Sequence, residues 1–249
     1  MRAVRIILLA AAAVLIASGL AWAAPGTGIT GTSHDFSNKA STAVGLCTFC
    51  HTPHRATQTR LLWNHKLTDN TFKWTDVTAT TNGTPLPTFT KAWQGTSKNC
   101  LSCHDGSVAI GDILWFNKSG PQNLLNQKHD NDDFTVGLGG IMNGNHPVAH
   151  PFPFNKQVST YNSVTSGSQV VASGWQNDPQ TYGIRLFNDD GSGNVTAGGV
   201  VGKSGIECAS CHDPHNGTTV VDSFFLRGKL TGTGPASTTS YICIKCHDK

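Results

Sequence analysis

Eight cysteines fall into four pairs: Cys47/Cys50, Cys100/Cys103, Cys208/Cys211 and Cys243/Cys246. Each pair is C-x-x-C, and each is followed at once by histidine, at His51, His104, His212 and His247. Histidine is 11 of 249 residues, so four such neighbours by chance have a probability on the order of one in a few hundred thousand, and the spacing asks for a chemical reason. Two thiols separated by two residues can add to the two vinyl groups of one porphyrin as thioethers. The next residue then lies under the iron, where its imidazole is a proximal ligand. Structural zinc also uses C-x-x-C pairs but gives no reason for a fixed adjacent histidine. A thioredoxin-like pair would need one motif on a βα unit, not four. Disulfides are the default for cysteines in an exported chain, and the adjacent histidines speak against them. The spacing predicts four covalently bound haem c groups, with the eight cysteines as attachment points and the four histidines as iron ligands.

The second axial position of each iron needs Met, His, water or nothing. Beyond the first residue the only methionine is Met142, so Met can serve one iron at most. Seven further histidines remain: His34, His54, His65, His129, His146, His150 and His215. Bis-histidine ligation throughout is the expectation, with low, mostly negative potentials and no open iron for substrate. "CTFCHTPH" at 47–54 and "CASCHDPH" at 208–215 place His54 and His215 three residues beyond a proximal histidine. Neither can easily reach the far face of the ring that its own motif holds. Each is expected to ligate a neighbouring haem, so that one short segment clamps two irons.

The rest of the chain must position these groups, and its composition limits how. Arg2 and Arg5, the apolar run "IILLAAAAVLIASGL" and "AWA" before Ala24 read as a secretory signal over 1–23, cut after Ala23. Residues 24–249 then form a single tetrahaem cytochrome c domain, located outside the cell or at its surface, alternatively in the periplasm. Removing Arg2 and Arg5 from 18 basic residues leaves 16 against 15 acidic ones, which excludes the basic block that nucleic acid needs. No later stretch is apolar and long enough for a membrane span. The 226 mature residues (249 less 23) leave roughly 56 per haem, too few for a separate core around each. Glycine (27) and proline (11) punctuate the chain and favour turns. The predicted fold class is a multihaem cytochrome: mostly coil, with short helices and a few short strands, wrapped around a stacked four-haem core. Each C-x-x-C-H is expected on a short helical turn, and "GIRLFNDDGSGNVTAGGVV" (183–201) as two short strands around a Gly-rich turn. Trp63, Trp74, Trp93, Trp115 and Trp175 are expected to fill the core or pack on haem edges.

The ordered segments "HDFS", "CTFCHTPH", "LLWNH", "CLSCHDG", "NHPV", "ECASCHDPHN" and "CIKCHDK" resemble the multihaem c-type cytochromes of metal-reducing bacteria. The similarity is greatest to the OmcE-type tetrahaem subunits of extracellular nanowires, and it runs from about residue 30 to the C-terminus. The resemblance implies that His34 and His146 join His54 and His215 as the four distal ligands. His65 of "LWNH" is the main rival, His150 competes with His146, and His129 among acidic neighbours is expected to be solvated. It further implies a continuous haem stack and one axial histidine given to a neighbouring subunit. His34, near the mature N-terminus on its "GTGITGTSHDF" arm, is the expected donor, and the alternative is that this arm folds back on its own subunit.

The function expected is an exported electron conduit without enzymatic activity. It would be a homopolymer, a helical filament built by head-to-tail contacts, passing electrons to other multihaem cytochromes or to extracellular acceptors. A soluble periplasmic tetrahaem shuttle is the alternative. A reductase with an open iron is a third reading, and seven spare histidines argue against it.

Overall fold

The computed structural model describes residues 26–37, 45–54, 56, 61–114, 122–123, 127–167, 174–217, 224–238 and 240–248. The signal segment 1–23 and Trp115 lie outside the described residues. The chain is mostly coil and turn, with two helices among the described residues: α1, Ser97–His104, and α2, Cys208–Cys211. Eight short strands accompany them: β1 (Asp112–Ile113), β2 (Gln122–Asn123), β3 (His150–Pro151), β4 (Thr160–Tyr161), β5 (Val164–Thr165), β6 (Phe187–Asp189), β7 (Val195–Ala197) and β8 (Ser204–Ile206). No helix among the described residues is long and apolar enough to cross a membrane.

The largest sheet has the order β3-β8-β6-β7 and is antiparallel at every pairing. Its β6–β7 hairpin lies where the sequence predicts two strands around a turn. The Asp190 carboxylate accepts from the N–H groups of Ser192 (2.7 Å) and Asn194 (3.2 Å), a local closure that short acidic side chains make well. Gly205 of β8 lies directly beneath the ring of the fully buried Tyr161, and a Cβ there would collide with the ring. The main core gathers Phe72, Trp74, Phe89, Trp93, Leu101, Met142, Tyr161 and Phe187. Trp74 and Trp93 are thus core residues, as one of the two expectations for them had it. Met142 is committed to the same core.

This core welds α1 to α2 through a polar knot. Glu207, at the N-cap of α2 and 1% exposed, accepts from the Trp93 indole (2.9 Å), the Tyr161 hydroxyl (2.8 Å) and the Ser97 amide (2.8 Å). The Cys208 amide donates to Ser97 Oγ at 3.0 Å. A buried carboxylate is tolerated only when its lone pairs are satisfied in this way. Gly95 leaves room for it, since a Cβ there would strike the carboxylate and the Trp93 indole. The Gly205→Ala substitution is expected to lower the denaturant midpoint by about 1–3 kcal/mol of stability through overpacking against Tyr161. An unchanged midpoint would show that this ring does not rest on β8.

Candidate functional site

Three of the four C-x-x-C-H motifs lie on an α-helical or 3-10 turn. The second lies at the end of α1 and the third opens with α2; residues Ile242–Lys245 of the fourth form a 3-10 turn. The first is an irregular turn, yet it closes the same backbone bond, from His51 N–H to Cys47 O at 2.9 Å. The equivalent bonds are His212 to Cys208 at 3.0 Å and His247 to Cys243 at 2.9 Å. In a helical turn, residues three apart share one face, so both thiols of each pair project to the same side. All eight cysteines are free thiols. Burial pushes Cys50 and Cys211 up to about 11 and moves Cys103 and Cys246 the same way. A redox or thiolate site needs the opposite shift. Among the described residues no group of three or more His, Cys, Asp or Glu is arranged to hold a bare metal ion.

The histidines are prepared as ligands by their second nitrogen. Nδ1 of His51, His104 and His212 lies 2.6, 2.9 and 2.7 Å from the carbonyls of Leu61, Phe134 and Phe224. His34 and His146 likewise set Nδ1 against the carbonyls of Pro214 (3.3 Å) and Pro147 (2.9 Å). With Nδ1 donating, the proton is fixed there and the Nε2 lone pair is left for a metal. Burial holds His34 down at about 4, with His104 next in effect. Burial also lowers His104 and His215. All three are therefore neutral near pH 7, as ligation requires.

Three of the four proximal histidines face a second imidazole across a narrow range of distance. Ring centres are 6.3 Å apart for His34–His104, 6.0 Å for His51–His215 and 6.4 Å for His146–His247. A metal–imidazole bond of about 2 Å, plus about 1 Å from nitrogen to ring centre, puts two rings on opposite sides of one metal roughly 6 Å apart. These pairs fit a bis-histidine iron, and each joins one motif histidine to one expected distal histidine. No protein-family model matches the chain, and no curated protein does.

His212 and His54 are the remaining two. Among the described residues no imidazole stands opposite either at that spacing. His34, the expected donor to a neighbour, faces His104 of its own chain instead, because its arm folds back: Gly28 is tied to Asn216 and His34 to Pro214. His65 is 1% exposed, and its Nδ1 and Nε2 lie 2.8 and 3.0 Å from the carbonyls of Lys66 and Ala109; burial keeps the ring neutral, so one nitrogen donates, and both point at backbone oxygen. His129 stacks flat on His104 at 5.3 Å and 7°, too close for two rings sharing one metal, and sets Nδ1 on Asp132 at 2.6 Å. His150, on β3, is 7% exposed with Nε2 buried and unpartnered; it remains the rival to His146 at the fourth motif.

Sequence reasoning missed the straps that hold the motifs. Asn64 N–H bonds Cys50 O and Thr52 N–H bonds Leu62 O; Arg227 N–H bonds Cys211 O and Asp213 N–H bonds Phe225 O. The first and third motifs are therefore one repeated unit, motif plus return segment. The return residues Leu61, Leu62, Phe224 and Phe225 all have positive φ, a conformation uncommon in large apolar residues. Leu61, Phe134 and Phe224, whose carbonyls hold the three motif histidines, are 47%, 46% and 52% exposed. Apolar side chains grouped at a ligand-ready imidazole mark a surface meant to be covered. Trp63 lies 6.1 Å from His51 and Trp175 4.5 Å from His247, so these two sit at motif histidines rather than in the main core. "LLW" and "FF" were the available signals. In the haem-loaded protein, His146→Ala is expected to turn one haem in four high-spin, while His65→Ala and His150→Ala leave all four low-spin. A low-spin His146→Ala protein would assign that axial position to His150.

Proposed function

We propose that the chain is an exported tetrahaem c-type cytochrome that carries electrons and assembles as the subunit of an extracellular filament. The observation that carries this reading is the set of three imidazole pairs at 6.0–6.4 Å, each including a C-x-x-C-H histidine. Four bound haem c groups would supply one-electron Fe(III)/Fe(II) chemistry at low potential. The chain's own part is to attach, orient and insulate. Cys47/Cys50, Cys100/Cys103, Cys208/Cys211 and Cys243/Cys246 would carry the thioethers. The Nδ1–carbonyl bonds hold five of these imidazoles, His34, His51, His104, His146 and His212, in one tautomer and raise the basicity of Nε2. With both axial positions taken by protein, substrate has no place to bind, which supports electron transfer over catalysis.

The motifs also adjoin in order. The thiols of Cys103 and Cys50, of Cys100 and Cys208, and of Cys211 and Cys243 lie close enough to influence one another. Attachment points thus follow one another from the first motif to the fourth, as a continuous path needs.

The filament reading rests on what is left over. Among the described residues neither His54 nor His212 faces an imidazole at 6.0–6.4 Å, and the first and third motifs are repeats of one unit. Within the chain, the histidine after the third motif (His215) serves the first motif (His51). The same relation carried to the next chain lets His54 serve His212 of a neighbour. A shuttle would need a second axial ligand for that iron from within its own chain. The test is intact mass and electron microscopy of the secreted protein. The expected result is the chain plus four haems, all low-spin, in filaments. His54→Ala is expected to abolish filaments and leave one high-spin haem per chain, whereas His34→Ala creates one high-spin haem and keeps filaments. A low-spin protein that is monomeric at all concentrations would establish the periplasmic shuttle instead.

A further inference from the structure

The six fully buried charges nearest the motifs are sorted by sign along the chain. At the second and third motifs lie Asp105, 0% exposed, Glu207, 1% exposed, and one cation, Lys98, 1% exposed, which interacts with Glu207. Asp105 accepts from Asn70 Nδ2 (2.8 Å) and Ser107 N–H (2.8 Å), and it acts on the Cys103 thiol. Glu207 acts on both Cys100 and Cys208. Lys98 donates Nζ to Lys91 O at 3.1 Å, and burial lowers it to about 8. Two anions therefore face one cation. At the third and fourth motifs the balance is reversed. Arg227 and Asp213 lie 3.6 Å apart, 4% and 5% exposed. Lys245, inside the fourth C-x-x-C-H and 0% exposed, donates Nζ to the carbonyls of Arg227 and Thr238. It acts on Cys246 and Cys211. Here two cations face one anion. Among the described residues the first motif has no fully buried Asp, Glu, Lys or Arg beside it.

We propose that these buried charges set a step in reduction potential, so that an electron entering the chain settles on the haem of the fourth motif, with Glu207 and Lys245 as the two positioning charges. The inference rests on the tetrahaem reading above. Reduction adds one negative charge to a haem. A buried carboxylate a few ångströms away opposes that charge and a buried ammonium favours it, and in a low-dielectric interior neither is well screened. The reaction is one electron passing from Fe(II) at the second or third motif to Fe(III) at the fourth, with no bond broken and no proton moved. None of these side chains changes its protonation in that step; burial raises the Glu207 carboxyl, and it accepts from three donors, Trp93, Ser97 and Tyr161. The polypeptide thereby gives a row of chemically identical haems a direction.

The test is potentiometric titration of the haem-loaded protein at pH 6, with NMR of the haem methyl resonances during partial reduction to assign the order. In the native protein the fourth-motif haem is expected to reduce first. Glu207→Gln should move the second- and third-motif haems to higher potential and leave the fourth nearly unmoved. Lys245→Met should lower the fourth alone and remove its priority, while Lys245→Arg, which keeps the charge, should restore it. Equal shifts at all four haems, or a native protein in which another haem reduces first, would overturn the proposal and leave the cytochrome reading standing. A protein without a haem spectrum would overturn the cytochrome reading itself.

Discussion

In the proposed cytochrome one local constraint governs the rest: two sulfurs and one imidazole must face a single ring from five consecutive residues. A helical turn meets it, and the backbone bond from the motif histidine to the first cysteine's carbonyl closes that turn in the first, third and fourth motifs, with the second inside a helix. The turn itself is a poor anchor. Helices this short have no stability of their own. Each motif must therefore be held from outside, and the straps at 61–64 and 224–227 do this with three contacts apiece: one to the imidazole Nδ1, one to the residue after it, and one to the second cysteine's carbonyl. Positive φ at two successive apolar residues costs of order 1 kcal/mol or more at each. Such strain persists only where the surroundings over-determine it, and here the reward is a carbonyl aimed at the ring.

That division of labour explains which features are legible in the sequence. The attachment motifs, the short helical turns and the β6–β7 hairpin are properties of consecutive residues, and they were readable at once. The distal ligands are not. His51 and His215, or His146 and His247, meet only because the chain returns to the same place after long excursions. No local pattern distinguishes His146 from His150 four residues later; what separates them is that one faces His247 and the other turns into β3. His65 shows the reverse failure. It has the residue type of a ligand, but both nitrogens point at backbone carbonyls, and its single N–H donates to one of them. The straps were invisible for a third reason: their contribution comes from carbonyl groups, which every residue has.

The buried polar knot around Glu207 has the same economy. It joins α1 to α2, and so the second motif to the third, with donors from Trp93, Ser97 and Tyr161. Burial pushes the carboxyl up and the donors pull it back. An apolar replacement could pack as densely, and buried ions seldom stabilise a fold for their own sake. A charge kept there at such expense in polar partners is better understood through its field on the neighbouring sulfurs than through its contribution to stability.

The repeat of the first and third motifs also decides between two kinds of assembly. One unmatched donor and one unmatched acceptor per chain could be satisfied by a closed two-fold dimer or by an open chain of subunits. Within the chain, the relation between the two motif units has a direction: His215 of the later unit reaches the earlier, and His54 of the earlier does not reach the later. A two-fold axis would have to add a second, unrelated geometry to bring His54 to His212. In the proposed filament, repeating the existing sense from the earlier unit of one chain to the later unit of the next needs no two-fold relation, and a head-to-tail contact whose rotation does not close gives an open filament. The residues unmatched at one end of such an oligomer are the same ones that would admit the next subunit.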